Sequence, residues 1–129
     1  MAITSTTEAE LPSPTARVSI TNPHPTRRML VRVDYNGTVE QTNTIGANEI
    51  IFTGLIITSG TPTLIGTIAP FRRAVVANET SGDSANVYGL YWVPAGTSAS
   101  WGVSGWRTNS SATVIARNVA ITATPIRYE

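Results

Sequence analysis

From Ala16 to Glu129, short runs rich in Val, Ile, Thr and aromatic residues alternate with Gly, Pro, Asn and Asp. The breaks fall about 8 to 12 residues apart, the spacing of an antiparallel sandwich or barrel. Helical periodicity is nearly absent. ARVSITN sets Val18 and Ile20 on one face, and MLVRVDY sets Met29, Val31, Val33 and Tyr35 on one face with Leu30, Arg32 and Asp34 opposite. Successive side chains of a strand point to opposite sides, so each run reads as a strand with one buried face. Asn36-Gly37 follows; both residues tolerate positive φ, which predicts a tight hairpin turn with TVEQTNT as a polar, exposed return strand. EIIFTGLIIT, Glu49 to Thr58, is apolar on both parities. It is therefore either central in a sheet covered on both faces or bears on a partner chain.

PTLIGTIAP and FRRAVVANE come next, and the polar run Asn78 to Asn86 reads as a long loop. VYGLYWV and SASWGVSGW flank PAGT, which predicts a second hairpin; by alternation Tyr88 and Trp92 share one face while Tyr91 projects from the other. ATVIA and VAITATPIRY close the chain, and their apolar parity slips at Arg117-Asn118, as at a bulge or corner. Ala112 to Ala123 lacks Gly and Pro, yet its β-branched content favours strand over helix. The expected fold is all-β: a single-domain antiparallel β-sandwich over residues 16–129, jelly-roll-like, with about 8 to 10 short strands. Met1 to Thr15 carries only Ile3 and Leu11 as sizeable apolar groups. It reads as an extended N-terminal arm, residues 1–15, held in place by a neighbouring subunit rather than by the domain core.

Composition narrows the function. A chain of 129 residues has room for one core. A net charge of +1 gives no global basic field for nucleic acid or an anionic membrane. Without cysteine there are no disulfides, thiolate nucleophiles or zinc-thiolate sites. The first residues lack a signal-peptide pattern and no stretch approaches the roughly 20 apolar residues of a membrane span, so a soluble protein made without Sec-type export is expected. All nine basic residues are arginines. Lysine codons are AT-rich, so this bias points to a GC-rich coding genome.

The catalytic inventory is thin. His24, the lone histidine, sits between Pro23 and Pro25, where proline fixes the backbone and removes donors; it reads as a rigid corner rather than as the base of a Ser-His-Asp arrangement. Asn78, Glu79 and Asp83 offer oxygens but no calcium-loop spacing, and read as a solvated loop. Sequons at Asn36, Asn78 and Asn109 read as accidents of a Ser/Thr-rich chain. No phosphate-binding loop or dinucleotide fingerprint is present, and Arg27-Arg28 and Arg72-Arg73 read as a solvated face or as intersubunit ion pairs. No catalytic, cofactor or metal site is expected.

The order VSITNP, a Pro/Thr corner, MLVRVDY, YWVPAGTSASW and NVAITATPIRYE resembles the small β-sandwich modules of minor tail and other structural proteins of tailed phages infecting actinobacteria. The resemblance covers about residues 16–129. It implies a non-enzymatic virion structural protein with a jelly-roll-like fold, assembled in the host cytoplasm as a homotrimer. An arm and a head without a collagen-like or coiled-coil shaft suit a capsid decoration (cement) protein at the virion surface, docked on the major capsid or tail protein of the same particle. A minor tail protein is the neighbouring alternative. Expected subunit contacts are Glu8 and Glu10 of the arm, Arg27 and Arg28, and Ile50, Phe52, Leu55 and Ile57. A different class, a carbohydrate-binding adhesion module, would stack a host-surface glycan on Tyr91, Trp101 and Trp106, since aromatic faces serve both sugars and subunit interfaces.

Overall fold

A computed structural model describes residues 2–11, 16–42, 49–76, 80–108 and 113–129. Two antiparallel sheets pack face to face. The strands are β1 (Ala9–Glu10), β2 (Arg17–Thr21), β3 (Met29–Thr42), β4 (Glu49–Ser59), β5 (Thr63–Ile65), β6 (Phe71–Val75), β7 (Thr80–Val93), β8 (Ser98–Arg107) and β9 (Thr113–Tyr128). One sheet runs β1-β8-β4-β6, with β2 beside β1's neighbour β8; the other runs β5-β7-β3-β9. From β3 onward each strand lies in the sheet opposite its predecessor. That wrapping is the jelly-roll-like sandwich expected from the sequence.

The core follows from alternation. Val31, Val33, Tyr35 and Val39 of β3 and Val87, Tyr91 and Val93 of β7 face Ile51 and Leu55 of β4 and Trp101 and Val103 of β8. The rings of Tyr91 and Trp101 meet across the layers with centroids 5.1 Å apart. Burying side chains of this size stabilises by about 1.5–3 kcal/mol each. Glu49–Thr58 resolves into two faces: Ile51, Thr53 and Leu55 are buried inward, while Ile50, Phe52 and Ile56 are half-buried on the outer face.

Three local expectations are corrected. Asn36-Gly37 is no hairpin: β3 runs straight through it for 14 residues, paired with β7 along its whole length. Buried Val39 and Gln41 continue the inward parity of Tyr35, so the core holds the strand extended where the dipeptide alone favours a turn. Gly37 fits because the Tyr35 ring folds over it, about 3.1 Å from where a Cβ would stand. Asn78–Asn86 is no loop over its described part: Thr80–Asn86 is the first half of β7, with Ala85 buried inward among polar neighbours. Asn78 and Glu79 lie outside the described residues, as does Asn109. PAGT does form a turn, closed by Thr97 N–H donating to Pro94 O at 3.3 Å, but β7 and β8 separate into opposite sheets instead of pairing. The parity slip at Arg117-Asn118 is a bulge, with Asn118 at φ 52° and a register shift opposite Gly37.

The arm is corrected too, because residues 2–11 pack on their own domain. Ile3 N–H donates to Val114 O at 3.0 Å, Ser5 O accepts from Arg107 N–H at 3.0 Å, and Leu11 N–H donates to Val103 O at 2.9 Å. Between these, Ala9 and Glu10 pair with Gly105 and Ser104. Ile3 and Leu11 are core residues, 1 % and 3 % exposed. Gly105 leaves the space they fill, since a Cβ there would stand 2.7 Å from Leu11 Cδ2.

Candidate functional site

The opening corner is organised by Asn22 rather than by His24. Buried Asn22 donates through Nδ2 to Arg27 O at 2.8 Å and Val93 O at 3.1 Å, and its Oδ1 accepts from His24 N–H at 3.0 Å. His24 Nδ1 accepts from the backbone N–H of Thr26 and Arg27, and its ring leans on Tyr128. With Nδ1 engaged by the backbone, the imidazole serves as a turn cap. No carboxylate among the described residues bonds to it. Arg27 is exposed, while Arg28 stands 3.6 Å from Glu129 and 3.8 Å over the Trp92 ring.

A buried ion pair that the sequence reading missed fastens the arm. Arg107 donates to Glu49 Oε1 at 2.6 Å and Oε2 at 3.2 Å, and through Nη1 to Ile3 O at 2.7 Å. Their side chains are 4 % and 0 % exposed. Register pairs Ile51 with Arg107, so residues 58 apart in the chain meet on adjacent strands. No local spacing signals this.

The arm's glutamates also find partners within the chain. Glu10 accepts a two-pronged bond from Arg17 at 2.6 and 2.8 Å, and that guanidinium holds the Glu10 carboxyl below its ordinary value. Partial burial raises the Glu8 carboxyl, opposed by a hydrogen bond from Ser104. Leu55 is 7 % exposed with its side chain in its own core, so that side chain is withdrawn from the expected contact set. Ile50 and Phe52 remain half-buried on the outer face, and Ile57 is 41 % exposed.

The aromatic platform is dismantled. Trp101 is fully buried and Tyr91 is 2 % exposed, so neither offers a face to a sugar. Trp106 is half-buried and stacks on Phe52, with centroids 4.9 Å apart and planes within 6°. On the other parity of β7, Tyr88 is exposed and Trp92 half-buried, and their ring faces are capped by Arg32 and Arg28 at 4.3 and 3.8 Å.

The concave feature of interest lies at the edge of β4 beyond Thr53. It is a cleft of about 690 Å³ lined by β4 from Gly54 to Ile57, by Leu64, Ile68 and Pro70, by Trp106 and Tyr91, and by Glu8 of the arm. Burial pushes the Tyr91 hydroxyl up to about 12, against a contact with Trp101 and aided by the charge of Glu8. At neutral pH the cleft therefore holds one carboxyl and a neutral phenol among apolar walls. Apolar walls with a single carboxyl match the chemistry of an apolar chain bearing a cation. Among the described residues no group of three or more His, Cys, Asp or Glu could hold a metal ion, and no helix is long and apolar enough to cross a membrane.

No family model, no curated protein and no solved structure matches this chain.

Proposed function

We propose that the protein is a non-enzymatic structural subunit of a tailed-phage virion, a trimeric capsid decoration protein that reinforces the particle surface. A fold hosts many functions, so the weight rests on what the surfaces offer. The observation that carries the reading is the outer face of the β8-β4-β6 sheet, where Ile50, Phe52, Ile56 and Trp106 stay half-buried on a chain whose core is already complete without them. An apolar, aromatic sheet face beside a firmly docked arm suits a subunit that works by contact. The sequence resemblance of VSITNP, YWVPAGTSASW and NVAITATPIRYE supports the same reading. The glycan reading is not carried forward, because two of its three stacking residues, Tyr91 and Trp101, are buried and Trp106 is stacked on Phe52.

Immunogold labelling of intact particles with antibody to the purified protein tests this, together with sedimentation of the protein alone. Label on the shell and three times the 13.7 kDa chain mass are expected. Particles free of the protein would overturn the virion reading, and a monomer at high concentration would overturn the trimer.

A further inference from the structure

The β4 cleft has a floor made of backbone. Ile50 O accepts from Thr108 N–H at 3.0 Å, and Ile50 N–H donates to Thr108 Oγ1 at 2.9 Å, so both main-chain groups of Ile50 point toward β8. In an antiparallel ladder the N–H and C=O of one residue share a side, and the side alternates along the strand. Pairing with β8 is regular from Ile51 to Ile57. The main-chain groups of Ile51, Thr53, Leu55 and Ile57 therefore point the other way, toward β6. Ile51 and Thr53 find β6 there, opposite Arg73 and Phe71. Leu55 and Ile57 do not, because β6 ends at Phe71 and the residue before it is Pro70.

Pro70 has no N–H to give, and the chain before it leaves the sheet. Ile68 turns into the sandwich under Gly89, where a Cβ would stand 3.0 Å from Ile68 Cδ1. What remains is an open edge of two N–H and two C=O groups between apolar walls, with Glu8 as the one charged lining residue. Among the described residues no cation pairs with Glu8.

We infer that this edge receives an extended segment of a partner protein as an added strand. The partner segment alternates apolar and polar residues and carries a Lys or Arg opposite Glu8. Main-chain bonds to Leu55 and Ile57 supply the pairing, the walls of Leu64, Ile68 and Trp106 take alternate side chains, and Glu8 selects the cation by charge complementarity. The inference is independent of the virion reading, since it concerns the isolated protein and a peptide.

Amide exchange measured by NMR on the full chain gives the first test. In the free protein the amides of Phe52, Gly54 and Ile56, which point to β8, exchange slowly, whereas those of Leu55 and Ile57 exchange at least tenfold faster. The probe is a capped eight-residue peptide alternating valine and threonine with one central lysine. Its binding should slow Leu55 and Ile57 at least tenfold, and Ile57→Pro should weaken it at least tenfold. Glu8→Gln should weaken it about threefold, as for one exposed ion pair, and should not change the affinity of the same peptide carrying glutamate. Equal protection of Leu55 and Phe52 in the free protein would overturn the proposal. So would protection of Leu55 and Ile57 that rises with protein concentration, which would make a second copy the occupant, or peptide binding that leaves both amides unchanged.

Discussion

Glu49→Gln tests whether the interior ion pair holds the arm to the core. The substitution keeps the shape of the side chain and removes its charge, leaving the Arg107 guanidinium, 4 % exposed, facing a neutral amide in place of a carboxylate at 2.6 Å. Removing one partner of a buried pair costs about 3–5 kcal/mol, against a total stability of about 5–15 kcal/mol for a domain. With a urea dependence of about 2 kcal/mol per molar, the unfolding midpoint falls by about 1.5–2.5 M. Urea titration followed by tryptophan fluorescence reads this, because Trp101 passes from full burial to water. Glu49→Leu combined with Arg107→Met removes both charges and their desolvation, and should return stability to within about 2 kcal/mol of the parent. The bond from Arg107 Nη1 to Ile3 O is still missing in that double variant. Its arm should exchange faster at the Ile3 amide even where global stability is recovered. A Glu49→Gln midpoint within about 0.3 M of the parent would show that Arg107 is solvated or satisfied elsewhere, and the clamp would be refuted.

Gly105→Val drives a branched side chain into the space of Leu11 and Ile3, and overpacking of this kind costs about 1–3 kcal/mol. The arm should become cleavable by limited proteolysis, and an arm as resistant as the parent's would count against docking through Gly105. Tyr91 gives a pH prediction. Its folded value of about 12 lies above the ordinary 10, so the stability it lends is complete below pH 10 and is lost as pH rises toward 12. A shift of this size corresponds to roughly 2–3 kcal/mol; Tyr91→Phe should flatten that alkaline decline, and an unchanged decline would assign it to other groups. Trp101→Ala should cost about 3–5 kcal/mol, and Trp92→Ala, at a half-buried ring with a cation–π contact, less, about 1–2 kcal/mol. The reverse order in denaturant melts would mean the core aromatic has been misassigned.

What the sequence made legible was periodicity. The alternation of Met29, Val31, Val33 and Tyr35 predicted a strand with one buried face, and the parity slip at Arg117-Asn118 predicted a bulge or corner, of which the structure has the bulge. Both are local patterns that tertiary contacts reinforce. Asn36-Gly37 and the polar run before Asn86 were misread because turn chemistry and polarity are judged over a few residues, while a sheet judges each position by its face. Val39 and Ala85 keep that face buried through otherwise polar stretches. Ile3 and Leu11 looked too sparse to order an arm, and taken alone they are. Their binding site is the absence of a side chain at Gly105, about a hundred residues away, and their anchor is a guanidinium ordered by Glu49. The aromatics were grouped by closeness in sequence. The sandwich then sorted Tyr91 and Trp101 into the core and Tyr88 and Trp92 onto the surface.

The remaining question is why β4 keeps a bare edge, since exposed edges invite unwanted pairing. Among the described residues β7 is also uncovered on one side over Thr80–Gly89, since β5 pairs only with Leu90, Tyr91 and Trp92. That stretch, however, is polar and carries Asp83, Gly82 and Gly89. The remaining edges carry protection. β8 is covered by β1 and β2; β5 and β6 are 3 and 5 residues long, and β6 bears Arg72 and Arg73. β9 is long, but it is broken by the Asn118 bulge and carries Arg117, Pro125 and Arg127. Gly54-Leu55-Ile56-Ile57 has no charge, no proline and no bulge before Ile57. An apolar edge left bare, where the other uncovered stretch is polar and glycine-interrupted, is what the proposed strand addition requires. Ile57→Lys separates that from neglect. Ile57 is 41 % exposed, so the substitution should change stability by only about 0.5 kcal/mol, while its ammonium, held at the mouth of the cleft, should abolish capture of the lysine-bearing peptide. If Ile57→Lys binds that peptide as well as the parent does, the edge is merely unprotected and the strand-addition argument fails.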